Sequence, residues 1–222
     1  MLLLIDVFSH RFLLKTYYSS EWWNQALNQL AQNDFIVIDN FLPTIMLEEL
    51  EVKFLRNEIL QKFEPAKIGS SEIEQRKSEI RSDFTLWLER SRDTDILGFF
   101  ELIDELIKHS GELLFLSLQG YEFHFANYPV GGFYKPHLDQ FDSRSNRMLS
   151  LVIYLNNDWQ KGDGGELKIH SPKIEIIEPL YNRAVLFRSD IVLHEVLPSY
   201  KKRRSITGWL LKRPSGVGIL GI

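Results

Sequence analysis

After Gly120 the chain changes its period. Upstream, apolar residues recur at helical spacing. Downstream they come in short runs, at 121–128, 133–138, 148–155, 166–169, 184–187 and 205–211, separated by turn-forming clusters such as PVGG, NNDWQKGDGG, SPK and RSD. Short strands at that interval bury a core as an antiparallel sandwich or barrel. In the first part, Trp23, Leu27 and Leu30 follow the candidate N-caps Ser19 and Ser20, which predicts a helix ending near 33–34. Residues 35–38 read as a strand. Pro43 opens a second helix with Leu47, Leu50 and Phe54 on one face, and a third, from about 95 to 108, presents Phe99, Leu102, Ile103, Leu106 and Ile107. The expectation is one domain over 1–222, mainly β, with a helical part (about 1–118) buttressing a β core (about 119–213).

The chain is long enough, at 222 residues, to bury about 70% of its unfolded surface without disulfides or metal staples. It has no cysteine, which excludes a disulfide scaffold, a zinc knuckle and a thiol nucleophile. Its formal net charge of -4 argues against a protein that holds nucleic acid by neutralising phosphates. The N-terminus lacks the pattern of a signal peptide, and no stretch reaches the roughly 20 apolar residues of a membrane span. A soluble, cytoplasmic protein is expected. The most polar stretch, 64–83, reads as a loop or flap ahead of a strand at 84–88.

His137-Leu138-Asp139 closes one predicted strand. Side chains at i and i+2 share a face, so an imidazole and a carboxylate can converge. Alone the motif is weak, since six histidines and 30 acids give about 0.8 such matches by chance. His194 follows 55 positions after Asp139, and Arg203 nine residues later. Two histidines and a carboxylate on one face of a metal leave the opposite face open, as in non-haem Fe(II) oxygenases. A nearby arginine can hold a dicarboxylate through bidentate bonds.

The ordered blocks YPVGGFYKPHLDQF (128–141), SLVIYLNNDW (150–159), GGELKIH (164–170), LFRSD (186–190) and HEVLPSY…RRSITGW (194–209), with SEIRSDFTLWLE (78–89) as a weaker piece, carry a resemblance. Over about 34–213 the chain resembles the Fe(II)/2-oxoglutarate-dependent dioxygenases of the prolyl hydroxylase type, both the oxygen-sensing animal enzymes and bacterial relatives. The resemblance implies a double-stranded β-helix (jelly roll) and makes His137, Asp139 and His194 the iron ligands. Arg203 and Tyr154 would hold the distal carboxylate of 2-oxoglutarate, with Tyr128 near the co-substrate or iron and Thr207 beside the metal. Tyr134, Arg147 and Trp209 would wall the target residue. Arg81 and Asp83 would stand at the base of the flap and Arg147 near the mouth of the pocket; from that placement we expect Asp83 to pair with Arg147 when the flap closes. The animal enzymes carry one more residue between Tyr128 and the first ligand, which leaves the substrate lip open to difference.

Strand parity supports the arginine assignment: Arg203, Ser205, Thr207 and Trp209 share one face, and Arg204, Ile206 and Leu210 the other. Lys201, Lys202 and Arg204 read as a solvated basic turn. His10 and His109 read as surface residues, and His170 as structural. His124, in phase with Ala126 and Tyr128, is a candidate for the co-substrate cavity. Trp22, Trp23, Trp87 and Trp159 read as packing residues. The implied function is hydroxylation of a prolyl residue in a protein or peptide, using Fe(II), 2-oxoglutarate and O₂, with ascorbate as an optional reductant. The rival readings are an oxygenase of free amino acid, another side chain or alkylated nucleic acid, and a non-catalytic metal- or 2-oxoglutarate-binding module.

Overall fold

Ser19 starts the first helix by accepting a hydrogen bond from the Trp22 backbone N–H at 3.1 Å. The computed structural model describes residues 16–66, 79–140, 145–170 and 173–212. In chain order its helices are α1 (Ser20–Asn33), α2 (Thr44–Ile59) and α3 (Leu97–Leu114). The strands are β1 (Phe35–Ile38), β2 (Glu64–Pro65), β3 (Phe84–Leu88), β4 (Leu118–Tyr128), β5 (Tyr134–His137), β6 (Arg147–Tyr154), β7 (Leu167–Ile169), β8 (Glu175–Ile177), β9 (Ala184–Arg188), β10 (His194–Val196) and β11 (Arg203–Lys212). Seven strands form one antiparallel sheet in the order β1-β9-β6-β11-β4-β3-β2, and β5-β10-β7-β8 form a second.

The large sheet is covered on both faces. Phe123, Phe125, Leu149, Leu151, Ile153, Leu186, Ile206 and Leu210 share a core with buried residues of the three helices. Ala126, Tyr128, Val152, Tyr154, Val185 and Phe187, at the alternate positions, pack with Leu167, Ile169, Ile177 and Val196 of the small sheet. A strand buried on both faces reads as a continuous apolar run, and 148–155 is one. Gly208 lets β11 lie close to its neighbour, because a Cβ there would sit 2.1 Å from the Phe123 ring. This is the helix-buttressed jelly roll expected from the sequence. Among the described residues no helix is long and apolar enough to cross a membrane.

Several local expectations need correction. α3 runs six residues past 108, because its buried face continues through His109 and Ser110 and the helix carries on across Gly111 to Leu114. His109 is therefore buried rather than on the surface, with its ring stacked on Trp23 at 5.5 Å. Trp87 is no core residue: it is 46% exposed. The three-residue strands β8 and β10 are too short to show alternation in the sequence. Of the expected flap, Glu64 and Pro65 pair with β3, and Arg81 forms an isolated bridge with Tyr134. Positions 67–78 and His10 lie outside the described residues.

The basic turn at 201–204 is also less solvated than its composition implies. Arg204 is half-buried with its guanidinium over Phe54. Glu58 of α2 accepts from Lys202 Nζ at 3.1 Å, Arg204 Nη2 at 3.0 Å and Asn127 Nδ2 at 3.1 Å, joining the helix to β4 and β11. Burial alone would raise the Glu58 carboxyl, but these donors outweigh it and hold the group below its ordinary value. A carboxyl with a depressed folded-state pKa stabilises the fold above its unfolded value and loses that contribution as pH falls through the folded one. Glu58→Gln should therefore cost about 1 kcal/mol at neutral pH. The Tm gap between parent and variant should close as pH drops below about 4.5. A gap that stays constant from pH 7 to 3 would refute the linkage.

Candidate active site

The pairing of β5 with β10 sets His137 directly opposite His194. Their rings lie 4.3 Å apart, and Asp139 stands between them, with Oδ1 3.5 Å from His137 Nε2 and Oδ2 3.7 Å from His194 Nε2. One ligand atom from each residue falls within 4.8 Å of the other two. The tautomers follow from the other ring nitrogens. His137 Nδ1 meets the Lys135 carbonyl at 2.8 Å, and His194 Nδ1 meets the Val192 carbonyl at 3.0 Å. A carbonyl only accepts, so each Nδ1 carries a proton, which leaves each Nε2, on the carboxylate side, as the ring nitrogen that a metal would use.

Ser150 Oγ donates to Asp139 Oδ2 at 2.7 Å and is itself 2.8 Å from Ser189 Oγ. Burial alone would raise the Asp139 carboxyl, but His194, His137 and the Ser150 hydroxyl hold it far below the usual carboxylate range. Burial pushes the His194 imidazole down to about 4. The cluster is thus an anionic carboxylate flanked by two imidazoles, a donor set that suits a divalent metal.

The cluster opens into a cavity of about 630 Å³. Arg203 lines it and is only 2% exposed. Its Nε donates to the Gly165 carbonyl at 2.8 Å and its Nη1 to Ser205 Oγ at 3.3 Å, while its guanidinium lies over the rings of Tyr128 and Tyr154. Gly165 has φ +75 and no room for a side chain, since a Cβ would meet Arg203 Cδ at 3.0 Å. Among the described residues no carboxylate pairs with this guanidinium. The Tyr154 hydroxyl beside it is buried with no hydrogen-bond partner, and burial raises its pKa against the opposing pull of Arg203.

Most of the other residues singled out in the sequence line the same cavity. Thr207 pairs in register with His124, and Trp209 with Glu122. His124 lies between Trp87 and Trp209, at ring distances of 4.9 and 5.4 Å, and burial first, then Arg81, push it down to about 3. Tyr134 stacks on His137 at 3.6 Å, with the Arg81 guanidinium 4.4 Å from its own ring. Tyr154 and Asp83 stand outside the lining. One expected contact is absent: Asp83 is taken by Arg81, at 2.7 and 2.6 Å, because the two sit two residues apart on one side of the chain. Arg147 lies 3.4 Å over Trp209 and donates to Glu122 at 2.8 and 2.5 Å. Trp87, Glu122 and Ser150 escape the sequence reading. Ser150 leaves a trace there, as a polar residue in phase with Val152 and Tyr154 on an otherwise apolar strand.

The model of the 2OG-Fe(II) oxygenase superfamily matches residues 123–211. A solved prolyl-4-hydroxylase from Pseudomonas putida is similar at 32% identity, with a TM-score of 0.77 over 86% of this chain and 100% of that one. The chain belongs to the 2OG-Fe(II) oxygenase superfamily. The oxygenase is also similar to a solved prolyl hydroxylase from Trichoplax adhaerens, in complex with a hypoxia inducible factor oxygen degradation domain peptide, at 28% identity and TM-score 0.78 over 87% and 90% of the two chains. It is 27% identical to a hypoxia-inducible factor prolyl hydroxylase of Caenorhabditis elegans over 90% of its own length, and spans only 29% of that relative.

Fe(II), 2-oxoglutarate and O₂ are the oxygenase's reactants and cofactors, and the donor set fits them. His137, Asp139 and His194 present borderline-to-hard donors to a divalent metal. Arg203 and the unpartnered Tyr154 hydroxyl offer donors to a carboxylate.

Proposed function

We propose that this oxygenase hydroxylates a prolyl residue in a protein or peptide substrate. The buried Arg203 guanidinium, with no carboxylate partner among the described residues beside the His137–Asp139–His194 cluster, is the observation that carries the reading. A charge left unpaired in a protein interior is costly, so the site is built for an anion that arrives from outside. With both imidazoles neutral, as metal ligation through Nε2 requires, Asp139 and Arg203 sum to zero charge. A divalent metal and a dicarboxylate dianion also sum to zero, so the loaded site stays neutral.

In this reading His137, Asp139 and His194 hold iron, while Arg203 and Tyr154 hold the distal carboxylate of 2-oxoglutarate. Tyr128, Thr207 and His124 line the co-substrate side. Bound there, iron with 2-oxoglutarate and O₂ supplies oxidation of an unactivated C–H bond, releasing succinate and CO₂. The chain's own part is positioning. The Lys135 and Val192 carbonyls fix both imidazole rings, and Ser150 orients Asp139. Trp209 and Tyr134 wall the target ring, and Arg147, held by Glu122, lies over Trp209 and keeps that ring in place. Arg81 braces Tyr134 from its other side and is itself fixed by Asp83. Ascorbate as a reductant and a cytoplasmic location complete the reading. The lack of cysteines accords with a reducing compartment.

Succinate formation and a mass increase of one oxygen, measured on proline-containing peptides, test the proposal. Both should rise together. Stoichiometric hydroxylation of free proline with no peptide turnover would favour an amino-acid oxygenase. Binding of 2-oxoglutarate without any turnover would favour a sensing module.

A further inference from the structure

A second cavity, of about 470 Å³, adjoins the first, and Lys62, Leu86 and Arg92 line both. Its walls are rich in charge, and the two signs are used differently. Asp93 is 5% exposed and accepts from Lys53 Nζ at 3.1 Å, Arg92 Nη2 at 2.8 Å and the Glu89 backbone N–H at 2.7 Å. Asp95 takes the same Lys53 ammonium at 2.6 Å. These contacts fix the turn that leads into α3 and consume two acids against two bases. Arg56 on α2 and Lys62 just beyond it face the cavity with no carboxylate partner among the described residues. Two positive charges are therefore unspent in a groove continuous with the active site, on a chain whose net charge is -4.

We propose that this groove is a subsite for acidic residues flanking the target proline, so that the substrate is an acidic peptide segment. The inference rests on the protein-substrate reading above. An extended chain advances about 3.3–3.6 Å per residue, so a peptide anchored in the first cavity reaches the second within a few residues. Two spare cations at the end of a groove suit a short acidic run. Nucleic acid, which needs a long basic face, does not fit an acidic chain. Complementary charges at such a subsite act mainly on encounter and binding rather than on the chemical step.

Three synthetic peptides test it, identical around a central proline but flanked by four aspartates on the N-terminal side, by four on the C-terminal side, or by asparagines throughout. With the iron-loaded enzyme at low salt, one aspartate peptide should exceed the asparagine peptide about tenfold in kcat/KM, through KM. The advantage should disappear in 0.5 M NaCl. It should also disappear in the Arg56→Glu, Lys62→Glu double variant, and Arg56→Glu alone, which alters only the second cavity, should weaken it with Tm and turnover of the asparagine peptide unchanged. Equal kcat/KM for all three peptides, or an aspartate preference that survives the double variant, would overturn the subsite while leaving prolyl hydroxylation standing. Hydroxylation of free proline with none of the peptides turned over would overturn both.

Discussion

Replacing Arg203 with alanine should raise the KM for 2-oxoglutarate by about a hundredfold, since truncating one partner of a buried hydrogen-bonded charge pair costs about 2–5 kcal/mol. The reason lies in how β11 presents the side chain. Its register sets Arg203 against Tyr128, and the position two residues on, Ser205, against Tyr154, so both aromatic rings flank the guanidinium. Gly165 makes room for its stem and takes one of its donors. The remaining donors have no carboxylate partner among the described residues. Arg204, one position on, faces the helices and is held by Glu58, so Arg204→Ala should leave this KM within about twofold. Arg203→Lys should fall between the two, because an ammonium offers a point charge rather than a planar fork. A readout independent of turnover is the Tm increase produced by 2-oxoglutarate in the Mn(II)-loaded protein. At 100 times Kd such a ligand stabilises the parent by about 2.7 kcal/mol. Most of that increase should vanish in Arg203→Ala. An unchanged KM, or a large effect at Arg204 instead, would remove Arg203 from the co-substrate site.

The contrast between neighbouring arginines also shows what the sequence makes legible. Parity along 203–210 separates the cavity face from the helix face because a strand has a period of two, and β11 keeps its register against β4 and β6 across nearly all its length. The same logic places Tyr128 and His124 in the cavity. It fails wherever side chains choose among several partners. Asp83 could pair with either of two arginines, and nothing in the sequence reveals that Glu122 of β4 reaches across β11 to occupy Arg147 of β6. Trp87 is a related case. Its large apolar ring predicts burial, but β3 lies near the end of the large sheet, with only the two-residue β2 beyond it, and the ring faces the cavity mouth. Gly111 misleads in the opposite direction: a glycine usually weakens a helix, yet here packing of Phe99, Leu102, Leu106 and His109 carries α3 through it. The acidic-peptide groove is invisible in the sequence, since its residues come from α2, the stretch after it, β3 and the turn before α3.

On the proposed reading, replacing any of His137, Asp139 and His194 should have the larger effect of the two substitutions, because it would remove the metal rather than weaken the co-substrate. His137→Ala or Asp139→Ala should reduce succinate formation to background with Fe(II) at any tested concentration, and should abolish the Tm increase that Mn(II) gives the parent. The two variants separate metal loss from misfolding. His137 is partly exposed and touches Tyr134 and the Lys135 carbonyl, so its removal should lower the metal-free Tm little. Asp139 is buried and takes the Ser150 hydroxyl, so Asp139→Asn is the better control there, preserving shape and hydrogen bonding while deleting the charge. Ser150→Ala should give an intermediate result. The carboxylate remains, but its orientation is freed, and losing a partner of this kind lowers metal affinity by about 10–100-fold. Excess Fe(II) should restore most of the Ser150→Ala turnover and none of that of His137→Ala. Full Fe(II)-dependent turnover by His137→Ala and Asp139→Asn would show that the cluster is not the metal site. A graded series, with loss at the ligands and rescue at Ser150, is the pattern expected of ligands that the strands fix in place and a neighbouring hydroxyl aims.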